Sequence, residues 1–98
     1  MIYRIVKLKF ARREMQTIKP LFTAVAPKVR GTDGCTYLEI LYDLRDSGKV
    51  MTYSRWESEA HLEAYRESEI FRSFWSKIKP DFIKPAEAWS MQCDIRLD

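Results

Sequence analysis

Two neighbouring segments of this chain carry apolar or aromatic side chains on both of their faces, and no other feature limits the fold as much. Residues 34–42 and 50–56 alternate as β-strands, and the polar residues 43–49 between them, with Gly48 near the end, are typical of a hairpin loop. A sheet made of such strands exposes apolar surface unless both of its sides are covered. The fold therefore needs two covering layers.

The rest of the chain supplies the other elements of a small α+β fold. Residues 2–10 predict a first strand, and apolar residues spaced three and four apart over 15–29 predict an amphipathic helix. Ser58 and Ser68 are the expected N-caps of two further helices, and alternation over 89–97 predicts a half-buried final strand. The order βαββαβ is the ferredoxin-like arrangement, for which we expect an antiparallel four-stranded sheet.

In this arrangement the helices cover only one face of the sheet. The other face would leave Ile5, Tyr37, Leu41 and Met51 in water, and such an apolar patch is unusual for a monomer. Packing against the same face of a second copy buries the patch, and two-fold pairing is the commonest closure of an oligomer. The sequence thus predicts a homodimer, in the form of a dimeric α+β barrel. The alternative is a monomer whose exposed face carries scattered aromatic residues.

Length and charge limit the class of protein. At 98 residues, 46% of them hydrophobic, the chain is expected to form a single domain, residues 1–98. Its net charge of +3 is too small to indicate a nucleic acid or an anionic membrane as partner. An RNA-recognition module shares the order of elements, but residues 48–53 lack the paired stacking aromatics that such a module needs.

The cysteines and the apolar runs bear on location. Cys35 and Cys93 lie in strand-like runs, and we expect buried free thiols, as in a reducing compartment. No segment has the pattern of a signal peptide or the length of a membrane span. We therefore expect a cytoplasmic protein with no membrane and no nucleic acid among its partners.

Motifs spread over nearly the whole chain carry a family resemblance. They are Asp33-Gly34-Cys35 before the second strand, Tyr53-Ser54-Arg55-Trp56-Glu57-Ser58-Glu59 where the third strand runs into a helix, Leu62, Tyr65, Ser68 and Phe71 in the helices, and Pro85-Ala86-Glu87 before the last strand. In these residues the chain resembles the antibiotic biosynthesis monooxygenase (ABM) family of small dimeric α+β barrels. The Trp-Glu-Ser-Glu motif is more specific for the family than for any one reaction.

The resemblance implies a homodimer whose two sheets face each other, with a pocket in each subunit between its sheet and its helices. Several members of the family oxidise aromatic or polyketide substrates with O2 and without a bound metal or flavin, since the substrate itself supplies the electrons. We therefore expect a cofactor-independent monooxygenase that acts on a small aromatic or quinone-like molecule. The alternative is a non-enzymatic small-molecule-binding or structural dimer on the same scaffold.

Haem degradation, the activity of one branch of the family, is not expected. That branch uses an Asn on the first strand, together with a Trp and a His ten residues apart around the last two helices. This chain contains no asparagine, and Tyr65 and Trp75 stand where that Trp and His would be. Other members carry histidines in the same helices, where this chain has Tyr65 and Ile70. Proton transfer by a histidine at those positions is therefore not expected either.

His61, the only histidine, is a candidate general base because its ordinary pKa lies near neutrality. It follows Ser58 by three residues, in the first turn of a helix, where the helix dipole disfavours the imidazolium. The alternative is a surface histidine beside the cap. One histidine with two distant cysteines does not predict a metal site.

Four aromatic residues are the other candidates. Tyr65 is a catalytic candidate, because a buried phenol needs a hydrogen-bond partner and could donate to a substrate oxygen. Trp56, Phe71 and Trp75 are candidate substrate-binding residues, since flat rings stack on a planar molecule. For all four the alternative is ordinary core packing.

Overall fold

The computed structural model describes all residues, 1–98, and contains four strands and three helices. The elements are β1 (Ile2–Lys9), α1 (Met15–Arg30), β2 (Cys35–Tyr42), β3 (Lys49–Trp56), α2 (Glu59–Arg66), α3 (Glu69–Ile78) and β4 (Glu87–Met91), with single 3-10 turns at Arg12–Glu14 and Lys79–Asp81. The strands form one antiparallel sheet in the order β2-β3-β1-β4. This is the predicted ferredoxin-like α+β fold. No helix has the length and apolar character needed to cross a membrane.

The core lies between the helices and one face of the sheet. Every second residue of β1 points toward the helices, and Leu8 packs there against Val50 of β3 and Ile18 and Phe22 of α1. A second cluster, at the other end of the sheet, is built around Trp56. Both clusters follow from the two periodicities, since a strand repeats every two residues and a helix about every 3.6.

The opposite face of the sheet has no cover within the chain. Leu41 on the edge strand β2 is 47% exposed and Trp89 on the other edge strand, β4, is 40% exposed. Between them the guanidinium of Arg55 lies over the ring of Tyr37 at 4.4 Å and is near two further tyrosine rings. One face is therefore buried by helices and the other is open, as predicted.

The final strand is shorter and more exposed than predicted. It ends at Met91, and all of its residues are exposed, so the expected half-buried strand over 89–97 is wrong. Met91 pairs with Tyr3, one residue from the start of β1, and the chain beyond it runs past the end of its only neighbour. A strand needs a partner for its backbone N–H and C=O groups. The alternating sequence pattern continues to residue 97, but the partner strand ends first, so β4 ends as well.

The two cysteines are unpaired, as predicted, but differ in burial. Cys35 is buried, whereas Cys93 lies in the tail after β4 and is exposed. The expectation of two buried thiols is thus correct only for Cys35.

Candidate functional site

A cavity of about 270 Å³ lies between the helix-facing side of the sheet and all three helices. Its walls are mostly aliphatic and aromatic, with Val6 and Ile40 from the sheet, Val25 from α1 and Phe74 from α3 among them. Ligand pockets in proteins span roughly 300–1,000 Å³ and have the same mainly apolar lining with a few polar groups. The size of this cavity therefore suits a small ligand.

Tyr65 on α2 provides a polar group inside this apolar cavity. Its hydroxyl is the end of a side chain that lines the cavity, and it forms no hydrogen bond within the protein. No side-chain oxygen that is sealed from solvent lacks a hydrogen-bond partner, so this hydroxyl retains accessible surface. Burial raises the pKa of Tyr65 to about 12. The phenol therefore stays protonated near neutral pH and acts as a hydrogen-bond donor.

The ring of Tyr65 is held by its neighbours. It stacks on Trp56 with a centroid distance of 4.9 Å and an interplanar angle of 27°. The indole N–H of Trp56 donates to Ser54 Oγ at 2.9 Å, and Trp56 is only 1% exposed. Trp56 is not among the residues that line the cavity. It therefore packs against Tyr65 from outside the cavity, and its role as a substrate-binding residue remains an untested prediction.

Ser68 joins α2 to α3 and so fixes the two aromatic walls relative to each other. Its Oγ donates to the carbonyl of Tyr65 at 2.6 Å and accepts from the backbone N–H of Phe71 at 3.2 Å, which confirms the predicted cap. Phe71 and Trp75, one turn apart on α3, stack at 5.2 Å, and both line the cavity. Three of the five candidate residues from the sequence thus meet in one cavity.

Two arginines that the sequence analysis did not single out also line the cavity. Arg4 extends from β1 on the same side as Val6, and Arg66 follows Tyr65 on α2. Burial lowers the pKa of Arg4, and the positive charge of Arg66 lowers it further. The period of two along β1 contains a signal for Arg4, because Arg4, Val6 and Leu8 share a face.

His61 lies elsewhere, against the loop before β2. Ser58 caps α2 as predicted, since its Oγ accepts the N–H of His61, and the same Oγ lies 2.7 Å from Nδ1 of the ring. The ring packs on Gly34, whose φ is +86°, and a Cβ at that position would lie 2.3 Å from the imidazole. His61 is not among the residues that line the cavity. A role as proton acceptor remains an untested prediction.

Two carboxylates accompany His61, a grouping that the sequence analysis missed. Donor atoms of Asp33, Glu57 and His61 lie within 4.8 Å of one another, and both carboxylates are exposed. Negative charge near the start of a helix compensates the helix dipole. The helix dipole is sufficient to explain why these carboxylates lie beside His61, so the grouping does not indicate a metal site.

Comparison with known proteins places these features in context. Residues 1–77 match the family described as antibiotic biosynthesis monooxygenase. A solved antibiotic biosynthesis monooxygenase has a TM-score of 0.92 and 18% identity, with 97% of this chain and 100% of that one covered. A protein of Mycobacterium tuberculosis has a TM-score of 0.88 and 15% identity, covering 99% and 98%. A conserved protein of Methanosarcina mazei has a TM-score of 0.88 and 16% identity, covering 96% and 94%. No curated protein sequence shows a significant match.

Proposed function

We propose that this chain, which belongs to the antibiotic biosynthesis monooxygenase family, is a monooxygenase that acts on a small aromatic or quinone-like substrate without a bound metal or flavin. The observation that carries the proposal is the cavity, whose lining combines the stacked rings of Phe71 and Trp75 with the phenol of Tyr65. Such walls bind a flat molecule and exclude water from it.

The proposed reaction needs little of the protein beyond binding, orientation and one hydrogen bond. A substrate with a CH2 group beside a ring carbonyl loses a proton from carbon to solvent as it enters the cavity, and the Tyr65 phenol donates to the oxygen of the resulting enolate. The carbanion then reacts with O2. One oxygen atom becomes the new carbonyl, the other leaves as water with the two hydrogens of the CH2 group, and the carbon supplies all four electrons.

The direct test is oxygen consumption with a panel of hydroxylated anthrones and hydroquinones. We expect uptake above the buffer blank for the smaller members of the panel, because the cavity is small. Rates no faster than the blank across the whole panel would contradict the proposal.

Replacing Tyr65 with phenylalanine is expected to lower kcat by about 10²- to 10³-fold, the usual effect of removing one donor to a developing oxyanion. The substitution keeps the ring that stacks on Trp56, so the fold and the cavity wall are retained. Steady-state oxygen uptake measures the change. Tyr42→Phe is the matched control, since Tyr42 is outside the cavity. Equal rates for Tyr65→Phe and the parent protein would remove Tyr65 from the mechanism.

Replacing His61 with glutamine is expected to leave kcat unchanged, because the ring is outside the cavity. If His61 were the general base, the loss would be about 10²- to 10⁴-fold. The same oxygen assay distinguishes the two outcomes, with the thermal unfolding midpoint checking that the variant is folded.

A second candidate function is small-molecule binding without catalysis. It is favoured by the cavity lining, which includes no histidine and no carboxylate to accept a proton. A thermal-shift screen with a metabolite library tests it, since a ligand at a hundred times its dissociation constant adds about 2.7 kcal/mol to stability. A ligand that stabilises the protein but is recovered unoxidised in air would favour this function over the first.

We also propose that the protein acts as a homodimer in which the open faces of two sheets pack together. The support is the uncovered apolar face, where Leu41, Trp89 and Met91 are exposed in the single chain. The proposed location is the cytoplasm, with which the two unpaired cysteines are compatible.

A further inference from the structure

The charged residues of the cavity are all of one sign. Arg4 and Arg66 line it, and no aspartate or glutamate does. An apolar cavity in which positive charge is the only charge is set up to receive a negative group, since that group would gain from both cations in a partly desolvated site.

Within the protein, Arg4 and Arg66 use only a few of the N–H donors of their guanidinium groups. Arg4 donates from Nη1 to Ser90 Oγ at 3.0 Å, and Arg66 donates from Nη1 to Glu63 Oε2 at 3.3 Å. Each guanidinium has five N–H donors in a planar fork. The positive charge of Arg66 also acts against that of Arg4 and lowers its pKa, although Glu63 offsets part of this effect. An anion between the two arginines would remove the repulsion.

We propose that the natural ligand of this cavity is an aromatic carboxylate, whose carboxyl group binds Arg4 and Arg66 while its ring lies against Phe71 and Trp75. The inference rests on the proposed function only in that it uses the same cavity. A carboxylate fits because its two coplanar oxygens match the guanidinium fork, and such pairs are stronger than neutral hydrogen bonds. The cavity volume of about 270 Å³ favours a small ring system.

The test is titration calorimetry of the folded protein with 2-naphthoate and with its neutral amide, 2-naphthamide. The two probes share ring and size and differ in charge. We expect 2-naphthoate to bind at least about tenfold more tightly than 2-naphthamide, as is typical for a hydrogen bond to a charged group. Equal affinities, or no binding of 2-naphthoate at millimolar concentration, would overturn the inference.

Three variants assign the preference to residues. Arg4→Gln and Arg66→Gln are each expected to weaken 2-naphthoate binding about 10- to 100-fold while changing 2-naphthamide binding little. Arg72→Gln is the matched control, with the same change in charge at an exposed position on α3 outside the cavity. The Arg66 side chain is exposed, so its replacement should be tolerated. If Arg4→Gln fails to fold, Arg66→Gln still tests the proposed site. Parent-like 2-naphthoate binding by Arg66→Gln contradicts the role of Arg66.

This measurement is independent of oxygen chemistry. Selective binding of 2-naphthoate without oxygen uptake for any substrate would uphold the anion site and overturn the monooxygenase. Oxygen uptake with neutral substrates and no carboxylate preference would do the reverse.

Discussion

Replacing Trp56 with alanine is expected to lower the free energy of unfolding by about 3–5 kcal/mol, a large part of the roughly 5–15 kcal/mol that stabilises a typical domain. The indole is 1% exposed, stacks on Tyr65 and donates to Ser54, so its removal leaves a cavity and an unsatisfied buried hydroxyl. Urea denaturation followed by far-UV circular dichroism, at one fixed protein concentration, measures the change.

Two controls separate the causes of this loss. Trp56→Phe keeps a ring against Tyr65 but removes the indole N–H, and is expected to cost less than the alanine variant. Leu44→Ala removes an apolar side chain that is 96% exposed in the hairpin loop, and is expected to cost nearly nothing. A loss below about 1 kcal/mol for Trp56→Ala would mean that this residue is not the support of the Tyr65 wall.

Most of the fold could be predicted because most of its elements are determined by residues that are close in the sequence. The alternation over β2 and β3 and the serine caps of α2 and α3 each depend on a few neighbouring residues, and the structure confirms them. The end of β4 depends instead on a distant segment. Residues 92–97 continue the alternating pattern, yet beyond Tyr3 the strand β1 has only Ile2 left to pair with them. Spacing within a segment carries no information about the length of its partner.

The site was predictable where it followed a helical stripe and not where it depended on packing. Tyr65, Phe71 and Trp75 lie on inward-facing positions of α2 and α3, and they meet in the cavity. Whether Trp56 reaches the cavity depends on how α2 packs on the sheet, and His61 in the first turn of α2 faces Gly34 for the same reason. Arg4 on β1 and Arg66 on α2 are far apart in the sequence, so no local pattern indicates that both line the cavity.

The open face of the sheet leads to the second prediction, that replacing Met51 with arginine converts a dimer into a monomer. Met51 lies on the inner strand β3, opposite Lys7 on one side and Leu41 on the other. In a two-fold interface the new charge is buried twice, and a buried unpaired charge costs several kcal/mol. We expect the dissociation constant to rise by at least about a thousandfold. Sedimentation velocity at micromolar concentration measures the change.

The charges already near this face explain why one more should have such an effect. Lys7 pairs with Glu87 at 3.5 Å, and Lys9 pairs with Asp46. The guanidinium of Arg55 lies over the ring of Tyr37, 4.4 Å from its centroid. Each of these cations has a partner, whereas the residues directly opposite position 51 are Lys7 and Leu41, and neither can pair with an arginine. Leu44→Arg, the same charge in the exposed hairpin loop, should leave the dimer intact. A parent protein that sediments as a single chain at micromolar concentration contradicts the homodimer, and a Met51→Arg protein that stays dimeric contradicts this face as its interface.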